Sequence, residues 1–176
     1  AEADIERAAR LLAKADRLFV LGFRNSMALA SYARGLLTNI KPDVHLLPLA
    51  GASMGEELAG IGPRDAFLVL GFRRRPTLLR EIMTVVKEAG AASILIADMT
   101  AAKTAQLANV TLRCHNRGHA MFDSYVAPMS VINYLCTVVS QALGDVAVER
   151  LGEIERLHER LDNLAGPVPA RKFPKN

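Results

Sequence analysis

VLGFRNS (Val20–Ser26) and VLGFRRR (Val69–Arg75) are near-copies, each ending an apolar run and opening an amphipathic one. Each reads as a strand that turns at a glycine, Gly22 or Gly71, into a helix. If the two strands run parallel, both corners lie on one edge of the sheet, and Arg24, Asn25 and Ser26 face Arg73, Arg74 and Arg75 across a single crevice. Three consecutive arginines repel one another. Set beside a helix N-terminus, which is already partly positive and carries free N–H groups, they suit a site that an anion enters. Arginine outnumbers lysine 16 to 6 in the chain, and its planar fork fits phosphate or carboxylate at two points.

Outward from the corners, strand and helix patterns alternate. Ile5, Ala8, Ala9, Leu12 and Ala15 recur at helical spacing, and Arg17–Leu21 is a short apolar run. Ser26 is placed to cap a helix through Asn39 that buries Leu29, Ala33, Leu36 and Leu37. Val44–Leu49 is a second strand candidate, after which Gly51, Ser53 and Gly55 lead into a short helix with Glu56, Glu57 and Leu58. Ala66–Leu70 has no polar residue on either face, which makes it the expected central strand. Past the second corner a helix starts at Pro76 or Thr77, with Leu78, Leu79, Ile82, Val85, Val86 and Ala89 along one face and a stop at Gly90. Ser93–Ala97 and Val110–Cys114 read as the fourth and fifth strands, around a short helix from Thr100 to Leu107. His115–His119 is a polar loop and Met121–Leu143 a long apolar helix. A last helix carries Ala147, Leu151, Ile154, Leu157, Leu161 and Leu164, and either packs on its own domain or forms a subunit interface. This alternation predicts an α/β, three-layer sandwich: a five-stranded parallel sheet, doubly wound, with helices on both faces.

At 176 residues and 51% apolar, the chain fits one domain, residues 1–164, followed by a Pro-rich basic tail, residues 165–176, expected to be flexible. The formal charge of +4 includes Arg171, Lys172 and Lys175 in that tail, which holds no acid, so the body is nearly neutral. No basic face or reading head for DNA is visible. No apolar run approaches the ~20 residues of a membrane span, and the N-terminus is not a secretion signal, so a cytoplasmic location away from membranes is expected. Two cysteines, Cys114 and Cys136, are too few for a disulfide framework.

The order of elements resembles the sugar isomerase (SIS) domain, and within that family the sensor half of RpiR-type transcriptional regulators. The family's G-x-G-x-S is similar to Gly22-Phe23-Arg24-Asn25-Ser26, with Arg24 in place of the second glycine. Its S-x-S-G followed by threonine corresponds to Gly71-Phe72-Arg73-Arg74 and then Thr77. Ile96-Ala97-Asp98 looks like the I-T-D that ends the fourth strand, Ala105–Asn109 like the segment before the fifth, and Phe122-Asp123-Ser124 like the F-x-S before the long helix. The resemblance spans residues 1–164 and implies a flavodoxin-like fold that binds a phosphosugar, forms a homodimer or higher homo-oligomer, and reaches DNA only through a helix-turn-helix domain absent from this chain.

The resulting expectation is a sensor for a small anionic sugar metabolite, a phosphosugar or sugar acid. Arg73 and Arg74 clamp the anion, Ser26 and Thr77 donate hydrogen bonds, and Arg24 and Asn25 read the remainder. Gly22 and Gly71 shape the corners, and the resemblance adds Asp98 and Ser124 to the ligand-binding set. A sugar phosphate isomerase is the enzymatic alternative, with Glu56, Glu57, His115 and His119 as candidate bases; Glu56 and Glu57 also suit the first turn of a helix. A module that has lost its ligand is a third reading. Neither corner matches a dinucleotide or Walker fingerprint. Cys114, His115, His119 and Asp123 could imitate a metal site, but Gly118 interrupts the alignment and Arg117 repels a cation. No metal, cofactor or catalytic residue is expected.

Overall fold

The computed structural model describes residues 2–118 and 121–161. The tail 165–176, Leu164 and His119 lie outside the described residues. Five strands, β1 (Arg17–Gly22), β2 (Val44–Leu47), β3 (Asp65–Gly71), β4 (Ala92–Ala97) and β5 (Val110–Arg113), form one parallel sheet in the order β2-β1-β3-β4-β5. β3 is central and buried along its whole length, as its unbroken apolar run demands. The strand order reverses between β1 and β3, so the two near-identical corners emerge side by side at the switch point where parallel sheets place their ligands.

Alternate residues of each strand feed two cores. Leu18, Val20, Leu68, Leu70, Ile94 and Ile96 pack beneath α1 (Glu2–Lys14), α2 (Ser26–Thr38) and α6 (Val126–Leu143). Phe19, Leu21, Phe67, Val69 and Leu95 pack against α4 (Thr77–Glu88), with α3 (Met54–Leu58) and α5 (Ala102–Ala105) on the same side. Phe19 and Phe67 are register partners whose rings stack 4.7 Å apart. Burying each ring contributes roughly 2–3 kcal/mol, and the pair adds about 1 kcal/mol more. At the opposite edge from the corners, Arg17 forks onto Asp65, Nε to Oδ1 at 2.9 Å and Nη2 to Oδ2 at 2.7 Å, which locks the β1–β3 register. The sandwich is the one the alternation predicts.

Several elements depart from the sequence pattern for local reasons. β2 stops at Leu47 because Pro48 has no N–H to continue the ladder. On α4 the core stripe is Leu79, Ile82, Met83 and Val86, while Leu78 and Val85 lie on the exposed flank. α5 spans only Ala102–Ala105. α6 begins five residues later than expected, at Val126, because the Ser124 N–H donates to the Asn116 carbonyl at 2.8 Å and holds the preceding segment across the end of β5. Over its 18 residues α6 carries no charge and is apolar enough by length and composition to cross a membrane, a character the expectation of no such run overlooked. Here one face of α6 packs on α1 and α2. The last helix, α7 (Asp145–Leu161), packs on its domain only near its start: Ala147 is buried and Arg150 Nε caps the Thr38 carbonyl at 2.8 Å, whereas Leu157 and Leu161 are exposed.

Candidate functional site

The first corner is built by close approach. A Cβ on Gly22 would clash with the Ser26 carbonyl oxygen, so only glycine lets α2 start directly over the strand end. The Ser26 N–H then donates to the Phe23 carbonyl at 3.0 Å, and Arg24 takes a left-handed φ of 54°. Asn25, not Ser26, is the N-cap of α2, and its side chain makes no capping bond. Ser26 instead opens the helix and is 6% exposed.

The second corner separates its three arginines. Arg73 is exposed and Arg74 adopts a φ of 64°. Arg75 folds back: its Nη1 donates to the Gly71 carbonyl at 2.8 Å and to Asp98 at 3.1 and 3.3 Å, and its Nη2 donates to the Thr100 hydroxyl at 2.8 Å. Burial pushes the Asp98 carboxyl upward, but hydrogen bonds from Thr100 and the charge and hydrogen bonds of Arg75 outweigh it and hold Asp98 below the usual range. Pro76 caps α4 without a side-chain bond, and α2 likewise has no side-chain cap, its Ser26 and Met27 N–H groups donating instead to the Phe23 and Arg24 carbonyls, so no side chain screens the positive end of either helix.

A cavity of about 500 Å³ opens between these corners. Arg24, Asn25 and Ser26 form one wall, Arg73, Arg74 and Arg75 another, and Met121, Phe122, Asp123 and Tyr125 close the side nearest α6. Tyr125 packs edge-on against the buried Phe72 ring at 5.9 Å. The one acid among the described lining residues, Asp123, faces Arg73 across 3.5 Å. Cationic side chains and two helix N-termini therefore converge on one space, which can hold an anionic group at several points.

Of the expected ligand residues, the structure brings Arg24, Asn25, Ser26, Arg73 and Arg74 together. Gly22 and Gly71 lie beneath the cavity as steric necessities rather than lining residues. Thr77 is the exposed first residue of α4, outside the lining. Asp98 is buried in the Arg75 network and borders an adjoining hollow. The Ser124 hydroxyl accepts the Val126 N–H at 3.4 Å, at the start of its own helix. Sequence reasoning missed Phe23, Met121, Phe122 and Tyr125 as lining residues. The signal for the last three is the polar-to-apolar change after Gly118, which in the sequence reads as a helix start.

The described candidate bases of the isomerase alternative lie on separate elements, Glu56 and Glu57 in α3 and His115 after β5. Glu56 is held in a capping box: Ser53 N–H donates to its carboxylate at 2.8 Å and its own N–H donates to Ser53 Oγ at 3.3 Å, and hydrogen bonds from the Ser53 backbone and side chain hold its carboxyl below the usual range. His115 is exposed and borders the adjoining hollow. Cys114 is buried, and burial, aided by the Asp98 charge, pushes its thiol up to about 11.

The SIS domain family model matches residues 11–138. No curated protein matches the chain. Among solved structures, the sugar isomerase domain of an RpiR transcription factor from Sphaerobacter thermophilus superposes with a TM-score of 0.81 at 22% identity, over 89% of this chain and 87% of that one. The Vibrio vulnificus NanR protein, complexed with ManNAc-6P, gives 0.73 at 10% identity, and the match spans 93% of this chain but 62% of NanR. A Methanococcus jannaschii protein with an inferred 3-hexulose-6-phosphate isomerase function gives 0.57 at 10% identity, over 93% and 87%. At these identities the likeness is one of fold.

Proposed function

Because the chain belongs to the SIS domain family, we propose that it is a sensor, an effector-binding domain of an RpiR-like regulator that holds a phosphosugar or related anionic sugar metabolite between its two corners. The carrying observation is the convergence of Arg24, Arg73, Arg74 and two N-termini without side-chain caps on one cavity whose single acid among the described residues is already paired with Arg73. The anion displaces Asp123 from Arg73 and lies against the positive N-terminal ends of α2 and α4. Asp123 lies three residues before α6, so its release bears on the helix whose outer face, with that of α7, would meet a second copy of the chain. The reorientation of the two copies is the signal passed to a helix-turn-helix DNA-binding domain.

Isomerisation is the second reading, favoured by His115 beside the adjoining hollow and by the isomerase name among the similar folds. It is the weaker of the two, because among the described residues the cavity lining holds no histidine or glutamate and its carboxylate, Asp123, is ion-paired with Arg73. A thermal-shift screen of phosphosugars, sugar acids and inorganic phosphate tests the sensor. A ligand at 100 times its dissociation constant adds ~2.7 kcal/mol of stability. Stabilisation without turnover is expected; turnover of the bound sugar establishes the isomerase, and no stabilisation by any anion overturns both.

A further inference from the structure

A second hollow of about 590 Å³ lies at the ends of β4 and β5, next to the first. The two share Arg73 and Asp123, whose 3.5 Å pair stands at the border of both. Their chemistry differs. The first is cationic, whereas the second mixes donors and acceptors: Asp98, Thr100, His115, Asn116 and Arg117. Its arginines, Arg73 and Arg117, are matched by the carboxylates Asp98 and Asp123, so this hollow has no comparable excess of positive charge. Groups that both give and accept hydrogen bonds match hydroxyls, which do the same.

Asn116 carries the argument further. It is 6% exposed, and its amide Nδ2 is the one buried side-chain polar atom without a partner among the described residues. The Ser124 N–H holds its backbone carbonyl at 2.8 Å, so the residue is fixed in place rather than turned outward. Buried amides are almost always paired, and an orphaned donor on a residue that lines a polar hollow marks where an acceptor from outside the chain belongs.

We propose that the effector spans both hollows, with its anionic head against Arg24, Arg73 and Arg74 and its hydroxyl-bearing body at the β4–β5 end, where Asn116, His115 and Thr100 read it. This rests on the anion-sensor reading and deepens it: Asn116 and His115 determine which sugar is accepted, and the arginines determine only that it is charged.

Calorimetry with inorganic phosphate, glucose 6-phosphate, fructose 6-phosphate and 6-phosphogluconate tests the division. The native chain is expected to bind one of the sugar phosphates about ten-fold or more tightly than phosphate. Asn116→Leu should weaken that sugar phosphate about three- to ten-fold, the loss of one hydrogen bond, and leave phosphate affinity unchanged. The same variant should melt no lower than the native chain without ligand, since it removes an unsatisfied donor. His115→Ala, at an exposed position, should show the same selective loss and serves if Asn116→Leu does not fold. Equal loss for both probes, or no loss because water alone fills the hollow, overturns the proposal. So does a native chain that binds phosphate with no preference for sugar phosphates, which leaves the arginine site standing. Binding of no probe by the native chain overturns the anion site and this inference with it.

Discussion

Arg24 and Arg74 share an unusual backbone state on adjacent corners, with left-handed φ values of 54° and 64°, and both side chains border the same cavity. In the motifs that the two corners resemble, these are glycine positions. An arginine held there costs about 1–2 kcal/mol that glycine would not.

Each residue should therefore trade stability for binding. Arg24→Gly and Arg74→Gly are expected to raise the unfolding free energy by up to about 1 kcal/mol, strain relief being partly offset by glycine's larger unfolded-state entropy. Each should weaken anion binding about ten-fold. Urea unfolding alongside calorimetry checks this, and a loss of stability in both variants would contradict the strain argument.

Arg73 and Arg75 are neighbours with opposite roles. Arg75 and Asp98 are 17% and 7% exposed at their side chains, so Arg75→Met strands a buried carboxylate and should cost about 3 kcal/mol of stability. Arg73 is 61% exposed in its pair with Asp123, and Arg73→Ala should cost under about 1 kcal/mol while lowering anion affinity about ten-fold. Thermal melts of the two variants without ligand separate the roles.

Acid should weaken the fold through two aspartates. Burial pushes Asp65 upward, but the Arg17 and Gly62 hydrogen bonds and nearby arginine charge leave it below the usual value, and Asp98 is likewise depressed. Both carboxyls are lower in the folded chain than in the unfolded one, so their contribution is complete above about pH 5 and is lost as pH falls below about 4. Arg17→Met should reduce stability at pH 7 by about 2 kcal/mol and flatten this decline. Denaturant melts from pH 7 to pH 3 provide the measurement.

Self-association should depend on the outer faces of the last two helices. Met129 and Tyr134 on α6, and Val146 and Val148 on α7, are between 42% and 60% exposed in the single chain. Sedimentation is expected to show a dimer at micromolar concentration, and Tyr134→Asp combined with Val148→Asp to yield a folded monomer. A native chain that sediments as a monomer would remove the interface.

The thiols should be silent in the native state. Burial pushes Cys136 up to about 12 and Cys114 to about 11, so neither supplies thiolate at neutral pH. Alkylation at pH 7.5 should proceed only on unfolding, as mass spectrometry would reveal.

Much of the architecture is local and therefore legible in the chain. Ala66–Leu70 can be buried on both faces only in the middle of a sheet, and parallel crossovers then bring Gly22 and Gly71 to one edge, so the position of the crevice follows from patterning alone. Its working surface depends on long-range contacts. Arg73, Arg74 and Arg75 are indistinguishable in sequence, yet Asp98, 23 residues away, withdraws Arg75 into the fold and Asp123, 50 residues away, restrains Arg73. The Ser124–Asn116 hydrogen bond delays α6, turns Met121–Tyr125 into a wall, and fixes Asn116 with its amide unpaired. Periodicity specifies which faces are buried. Which charges remain free for a ligand is decided only when the tertiary structure has matched each one with, or denied it, a partner.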